Sequence, residues 1–173
     1  MKKLFLATIF LSVYSLSYAN PLTNPGFESG EEGWYNWNDQ ATGGIISSEY
    51  KHSEENSACR VVEGFGQGGY GQIVPINPGE TMKANAWIMS PQSKALSSGA
   101  EAYVRIEFWN SSGPIGWSES GHIRDATPWK KLEVVAKAPD GATEARVLAF
   151  ARGGNGGSKG EAYFDDFDMT VQK

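Results

Sequence analysis

The sequence has one cysteine, Cys59, among 173 residues. That excludes an internal disulfide framework and any cysteine-rich zinc site. Positive charge is in deficit, with 15 Lys and Arg against 20 Asp and Glu and a formal net charge of -5. Such a chain has no electrostatic case for binding nucleic acid or an anionic membrane. The two histidines, His52 and His122, lack metal-ligand spacing, and no Gly-x-Ser-x-Gly elbow occurs. Glu107 and Glu119 could be put forward as a glycosidase pair, but nothing in the sequence positions them across a scissile bond. An enzyme is therefore disfavoured. No long stretch repeats its apolar residues every 3.6 positions, so helices are not expected. What the chain does have is 21 glycines, 8 prolines, 6 tryptophans and 40% hydrophobic residues, enough for a packed core in a chain of one-domain length.

The one apolar run lies at the start. Lys2 and Lys3 precede Leu4 to Val13, and Ser17-Tyr18-Ala19 follows with small residues where a signal peptidase reads. Residues 1–19 read as a signal peptide, too short for a convincing membrane span. The mature domain is expected to run from 20 to 173, secreted or periplasmic after cleavage near Ala19, with no membrane attachment.

Short runs with a period of two occupy the rest, separated by Gly, Pro, Asn, Asp and Ser. Strands are expected at 44–49, 57–63, 70–76, 81–89, 102–109, 116–123, 130–137, 144–152 and 161–171. The glycine-rich stretches at 64–71 and 153–157 read as flexible hairpin loops. Many short strands at near-regular spacing predict an all-β fold, a two-sheet antiparallel β-sandwich or barrel. In 102–109, Val104, Ile106 and Phe108 share one face, with Tyr103, Arg105, Glu107 and Trp109 on the other. Charges cannot sit unpaired in a core, so the first set points inward. In 81–89, Met82, Ala84, Ala86 and Ile88 oppose Lys83, Asn85, Trp87 and Met89. In 161–171, Asp165 shares a face with Phe167, Met169 and Val171, so it is expected to be a buried carboxylate in need of a partner.

Four stretches, in order, carry a resemblance. They are Asn24-Pro25-Gly26-Phe27-Glu28-Ser29-Gly30 with Gly33-Trp34; Gln72 ahead of Pro78-Gly79 and Met82 to Trp87; Thr127-Pro128-Trp129-Lys130 with Pro139; and Tyr163-Phe164-Asp165-Asp166-Phe167. Together they resemble carbohydrate-binding modules of the family 4/9/16/22 group, the CBM-cenC-like modules. The resemblance implies a jelly roll, a structural calcium ion near the joined termini, a sugar site on a concave sheet face or loop edge, and no catalytic machinery. It places calcium (Ca2+) near Glu28 and Asp165, with Asp166 assisting and with oxygens from the loop between His52 and Asn56. It also implies that Trp34 and Trp129 are core residues.

Sugar recognition needs a flat exposed aromatic for the C–H face of a pyranose and amides or charges for its hydroxyls. Trp87 and Trp109 stand on the polar faces of their strands and are the leading candidates. Tyr103, Arg105, Glu107, Asn85 and Gln72 are candidate neighbours. Trp37 and Trp117 lie in loop-like stretches and could stack from an edge. Cys59 alternates with Val61 and reads as a small buried hydrophobe. The expected partner is a polysaccharide or oligosaccharide, a β-glycan, bound by a monomer. An accessory role beside a glycoside hydrolase, or a structural or adhesive sandwich with a protein partner, are the alternatives.

Overall fold

Backbone hydrogen bonds, rather than any single contact, define the molecule. The computed structural model describes residues 20–173, with the backbone alone at 40–42. The signal-peptide reading falls on 1–19 and lies outside them. The strands are β1 (Tyr35–Ser47), β2 (Ser57–Pro75), β3 (Thr81–Ser90), β4 (Ala100–Asn110), β5 (Gly113–Glu119), β6 (Thr127–Lys137), β7 (Glu144–Gly153) and β8 (Lys159–Gln172). All pairings among them are antiparallel, in the order β5-β4-β7-β2-β8-β3-β6, with β1 along β2.

Strand β2 makes this ribbon a sandwich. Its first part, Ala58–Glu63, pairs with β8, and its second, Gly66–Pro75, pairs with β7. Between them Gly64 takes φ +67°, a left-handed conformation that costs glycine little. The sheet thus curls into two leaves, β6-β3-β8-β2 and β5-β4-β7-β2. Their facing sides supply one core: Met82, Ala84, Ala86, Ile88 and Met169 from one leaf, Val104, Ile106, Val147 and Ala149 from the other. This is an antiparallel β-sandwich of jelly-roll form.

The alternation in β3 and β4 therefore reads correctly, but three local readings do not survive. The 64–71 stretch is no loop; it is the middle of a 19-residue strand. The 153–157 turn is braced, because Gly64 N donates to Ser158 O (2.7 Å) and Gly154 N to Gly99 O (3.0 Å). In β8 the simple period fails at Asp165–Asp166. Asp166 has φ +48° and the β3–β8 register slips between Asn85 and Trp87. This bulge lets both Phe164 and Phe167 reach the core.

The segment ahead of β1 closes the sandwich end. Phe27 packs on Trp34 (4.7 Å) and Tyr70 (5.9 Å), and Trp34 on Phe167 (5.0 Å). Trp34 is thus core. Gln72 faces this segment, accepting from Thr23 N (2.7 Å) and donating to Thr23 O (2.9 Å). Burying such aromatics contributes roughly 2–3 kcal/mol each. Arg60 is fully buried here, donating to Asn36 Oδ1 and Asn38 Oδ1 (both 2.7 Å). Burial lowers its pKa to about 10, so it stays charged at neutral pH.

Candidate functional site

The outward face of the β5-β4-β7-β2 leaf is a grid set by register. Tyr35, Gly71, Leu148, Arg105 and Glu119 lie side by side across β1, β2, β7, β4 and β5. The next row holds Trp37, Gly69, Phe150 and Tyr103; the row on the opposite side of Tyr35 holds Ile73, Arg146, Glu107 and Trp117. Same-face neighbours along a strand are about 6–7 Å apart.

Glycine decides how the aromatics lie. A Cβ at Gly71 would stand 2.3 Å from the Tyr35 ring, and one at Gly69 would stand 3.4 Å from Trp37 Nε1. The two β1 rings therefore rest over bare backbone of β2. Opposite them, Trp109 donates Nε1–H to Glu107 Oε2 (2.9 Å), and the Arg146 guanidinium lies 3.7 Å from the Trp109 ring centroid. Arg146 Nε donates to Glu144 (2.6 Å). Tyr35, Trp37, Glu107, Trp109 and Arg146 line one cleft of about 420 Å³. Burial pushes the Tyr35 phenol up to about 12 against the pull of Arg146, so the hydroxyl stays neutral.

Beside the cleft, Tyr103, Leu148 and Phe150 form a small second core under Trp37. Tyr103 stacks on His122 (4.0 Å) and Phe150 (5.1 Å). Its buried hydroxyl has no hydrogen-bond partner among the described residues, and burial raises its pKa. Arg105 lies over Phe150 (4.9 Å) and Trp117 (5.1 Å). Its Nε is 3.1 Å from Glu107 Oε1, at an angle too poor to donate. Trp117 is 60% exposed, on edge strand β5.

Of the residues singled out in the sequence, Trp37, Tyr103, Arg105, Glu107, Trp109 and Trp117 thus meet on one face. Three do not join them. Trp87 lies on the other leaf, on β3, stacked on His52 (4.0 Å), with Trp129 edge-on to that ring (5.6 Å). Asn85 is buried beside it and donates to Asp168 Oδ2 (3.3 Å). Gln72 points into the sandwich, as described above. Trp129 is half-buried over Met89, Cys59 and Tyr163 on the outside of that leaf, not in the central core. Tyr35, Arg146 and Glu144 were missed. The available signal was their spacing: Tyr35 is two residues from Trp37, and Glu144-x-Arg146 alternates with apolar Ala145 and Val147.

A second cluster joins the chain ends. Glu28 accepts from Glu55 N and Asn56 N (both 3.1 Å), and Asn56 Nδ2 contacts Glu28 O (3.5 Å). Asp165 Oδ2 accepts from His52 N (2.9 Å) and Ser53 N (3.1 Å), and Oδ1 from Asp166 N (2.7 Å). These amides are the partners the buried Asp165 required. Asp166 receives His52 Nδ1 and Ser53 Oγ, both at 2.6 Å. One oxygen each from Asp165, Asp166 and Glu28 lies 3.5, 3.8 and 3.8 Å from the point where a Gly26 Cβ would stand. Burial and the neighbouring Asp166 push Asp165 up to about 6. Among the described residues no set of three His, Cys, Asp or Glu side chains closes tightly enough to form a metal centre by itself. Carbonyl oxygens would have to complete the shell.

No protein-family model matches the sequence, and no curated protein is detectably similar to it in sequence. Solved structures are similar in fold. A family 61 carbohydrate-binding module, TmCBM61, solved with β-1,4-galactotriose, superposes with a TM-score of 0.60 at 17% identity, covering 90% of this chain and 100% of that one. The CBM22-1 xylan-binding domain of Paenibacillus barcinonensis Xyn10C gives 0.59 at 15% identity, covering 86% and 92%. The enzymatically active domain of bacteriophage CBA120 tailspike protein 4 gives 0.65 at 12% identity, covering 88% of this chain. The chain spans 21% of that tailspike domain. It therefore has the β-sandwich fold of the carbohydrate-binding modules, at low sequence identity.

Proposed function

We propose that the protein is a noncatalytic polysaccharide-binding module that takes its glycan on the outward face of the β5-β4-β7-β2 leaf. One observation carries this: Trp109 faces Tyr35 and Trp37 across a cleft whose polar groups, Glu107 and Arg146, are already fixed by their own partners. The rings suit the C–H faces of pyranoses, and the fixed carboxylate and guanidinium suit hydroxyls. Both polar groups are held before the ligand arrives, which lowers the ordering cost of binding. The fold's company, modules solved with galactotriose or named for xylan, supports a β-glycan. The leader-like run at 1–19 supports export to the periplasm or beyond.

We further propose that the carboxylate cluster, with carbonyl oxygens completing the shell, holds a structural calcium ion. Three acids converge with no Lys or Arg among their described hydrogen-bond partners, a charge arrangement that a hard cation relieves. Glu28, Asp165 and Asp166 would hold the ion, which would neutralise them and tie the segment before β1 and the 52–56 loop to β8.

Affinity electrophoresis through gels of soluble xylan, β-1,4-galactan and mixed-linkage glucan, with a reducing-sugar assay alongside, tests the reading. Retardation that Trp109→Ala abolishes, without release of reducing ends, is expected. Unretarded migration in every gel, or sugar release, overturns it. A protein-binding sandwich has no comparable support, since the large exposed hydrophobics (Ile45, Phe65, Ile73, Ile115, Trp117, Val135) are spread over four strands, β1, β2, β5 and β6, of both leaves.

A further inference from the structure

A second concavity opens on the same leaf, beyond Trp37. Asp39 on β1, Gln67 on β2 and Arg152 on β7 form the next row of the grid, and with Phe65 they border a pocket of about 320 Å³. Phe65 is 65% exposed, the most exposed of the large hydrophobics. A solvent-facing phenylalanine is not unusual by itself; the way this one is supported is. Gly64 and Gly66 flank it, and the nearest atom to a Cβ on Gly156 would be Phe65 Cε2, at 3.8 Å. The backbone around it is fixed. Gly64 N bonds to Ser158 O, Gly154 N to Gly99 O, and Ser158 Oγ to Ser98 O (2.8 Å). A side chain at Gly153 would collide with Gly64 O, so the corner closes only with glycine there. Arg152 is held by Glu101, and Asp39 accepts from Gln67 N. An exposed apolar ring on a braced backbone thus stands beside a carboxylate and a guanidinium, the same chemical combination as at Trp109.

We infer that the Phe65–Asp39–Arg152 pocket is a second sugar subsite, which rests on the functional reading above. Phe65 meets the C–H face of a pyranose, and Asp39 and Arg152 meet its hydroxyls. Arg146 and Arg152 are six residues apart on β7, so the polar groups of the two pockets stand about 20 Å apart. That span exceeds a trisaccharide and lies within reach of a hexasaccharide. The module therefore grips an extended chain at two points, with Trp37 between them.

The test is calorimetric titration of tri- and hexasaccharides of xylan and β-1,4-galactan into the unmutated protein, Phe65→Ala, Phe65→Trp and Trp109→Ala. Phe65→Ala should weaken the hexasaccharide on the order of tenfold, the loss of one stacking contact, and leave the trisaccharide unchanged. Phe65→Trp should restore or exceed the original hexasaccharide affinity, and Trp109→Ala should weaken both ligands. Equal affinities of Phe65→Ala and the unmutated protein for the hexasaccharide overturn the subsite, and so does an equal loss for both lengths. If the unmutated protein binds neither series, the functional reading fails and the subsite with it.

Discussion

Trp87 and Trp109 show what a single residue can reveal of its role. Each stands on the polar face of an amphipathic strand, and the period of two gives both the same standing. They part only in three dimensions: Trp109 lines a cleft with Glu107 and Arg146, while Trp87 lies under His52 on the other leaf. Trp109→Ala should weaken glycan binding at least about tenfold with an unchanged melting temperature, since the ring is only part-buried. Trp87→Ala should leave affinity unchanged and lower the melting temperature, because it removes the stack on the 52–56 loop. Circular-dichroism melts beside affinity gels separate these outcomes, and the reverse pattern would move the site to the other leaf. Alternation reports which side of a strand a residue takes, but not which leaf the strand joins, and that is why Asn85 is grouped with Trp109; Gln72 is on the right leaf but faces inward, bonded to Thr23. Cys59 was legible, because it alternates with Val61, and both pack with Met89 and Tyr163. It is 1% exposed, and burial pushes the thiol up to about 12. Iodoacetamide at mildly alkaline pH should leave native Cys59 unlabelled and modify it only after denaturation, as mass spectrometry would read.

At the scale of the element, β2 and β8 depart furthest from the sequence reading, each for a local reason. Glycine has low strand propensity, so a run of it reads as a loop. In β2 the same residues serve packing: Gly69 and Gly71 leave room for Trp37 and Tyr35 to lie across the sheet. Gly71→Ala should therefore keep the fold, displace Tyr35 and weaken glycan binding several-fold, which titration and a crystal structure of the variant would show. A variant that binds normally would remove Tyr35 from the site. In β8 the bulge at Asp165–Asp166 hid behind a regular apolar pattern, since a one-residue insertion leaves no compositional mark. That bulge aims both acids at Gly26 and Glu28. Excess chelator should lower the melting temperature by several degrees with glycan affinity intact, because the cluster lies on different elements from the cleft. Identical melts with calcium and with chelator would show that the backbone amides alone hold these acids.

Over the whole molecule the negative balance says little about the ligand, because charge on the proposed binding face is arranged in pairs. Arg146 is met by Glu144 at 2.6 Å, Arg105 by Glu107 at 3.1 Å and Glu119 at 3.9 Å, and Glu101 by both Arg152 and Arg124, four arginines against four carboxylates. A face so balanced has no surplus cation to attract a uronate or sulfate. Long-range steering is also weak, since alternating charges cancel beyond about one Debye length, ~10 Å at 0.1 M salt. Binding should then depend on ring stacking and short hydrogen bonds, neither of which salt screens appreciably. Between about 0.05 and about 0.5 M sodium chloride the dissociation constant for a neutral glycan should change less than about twofold, and carboxylated glycans should bind no better at low salt. A steep loss of affinity as salt rises would mean that the arginines leave their carboxylate partners to meet an anionic sugar, and the cleft would then have to be read as an anion site.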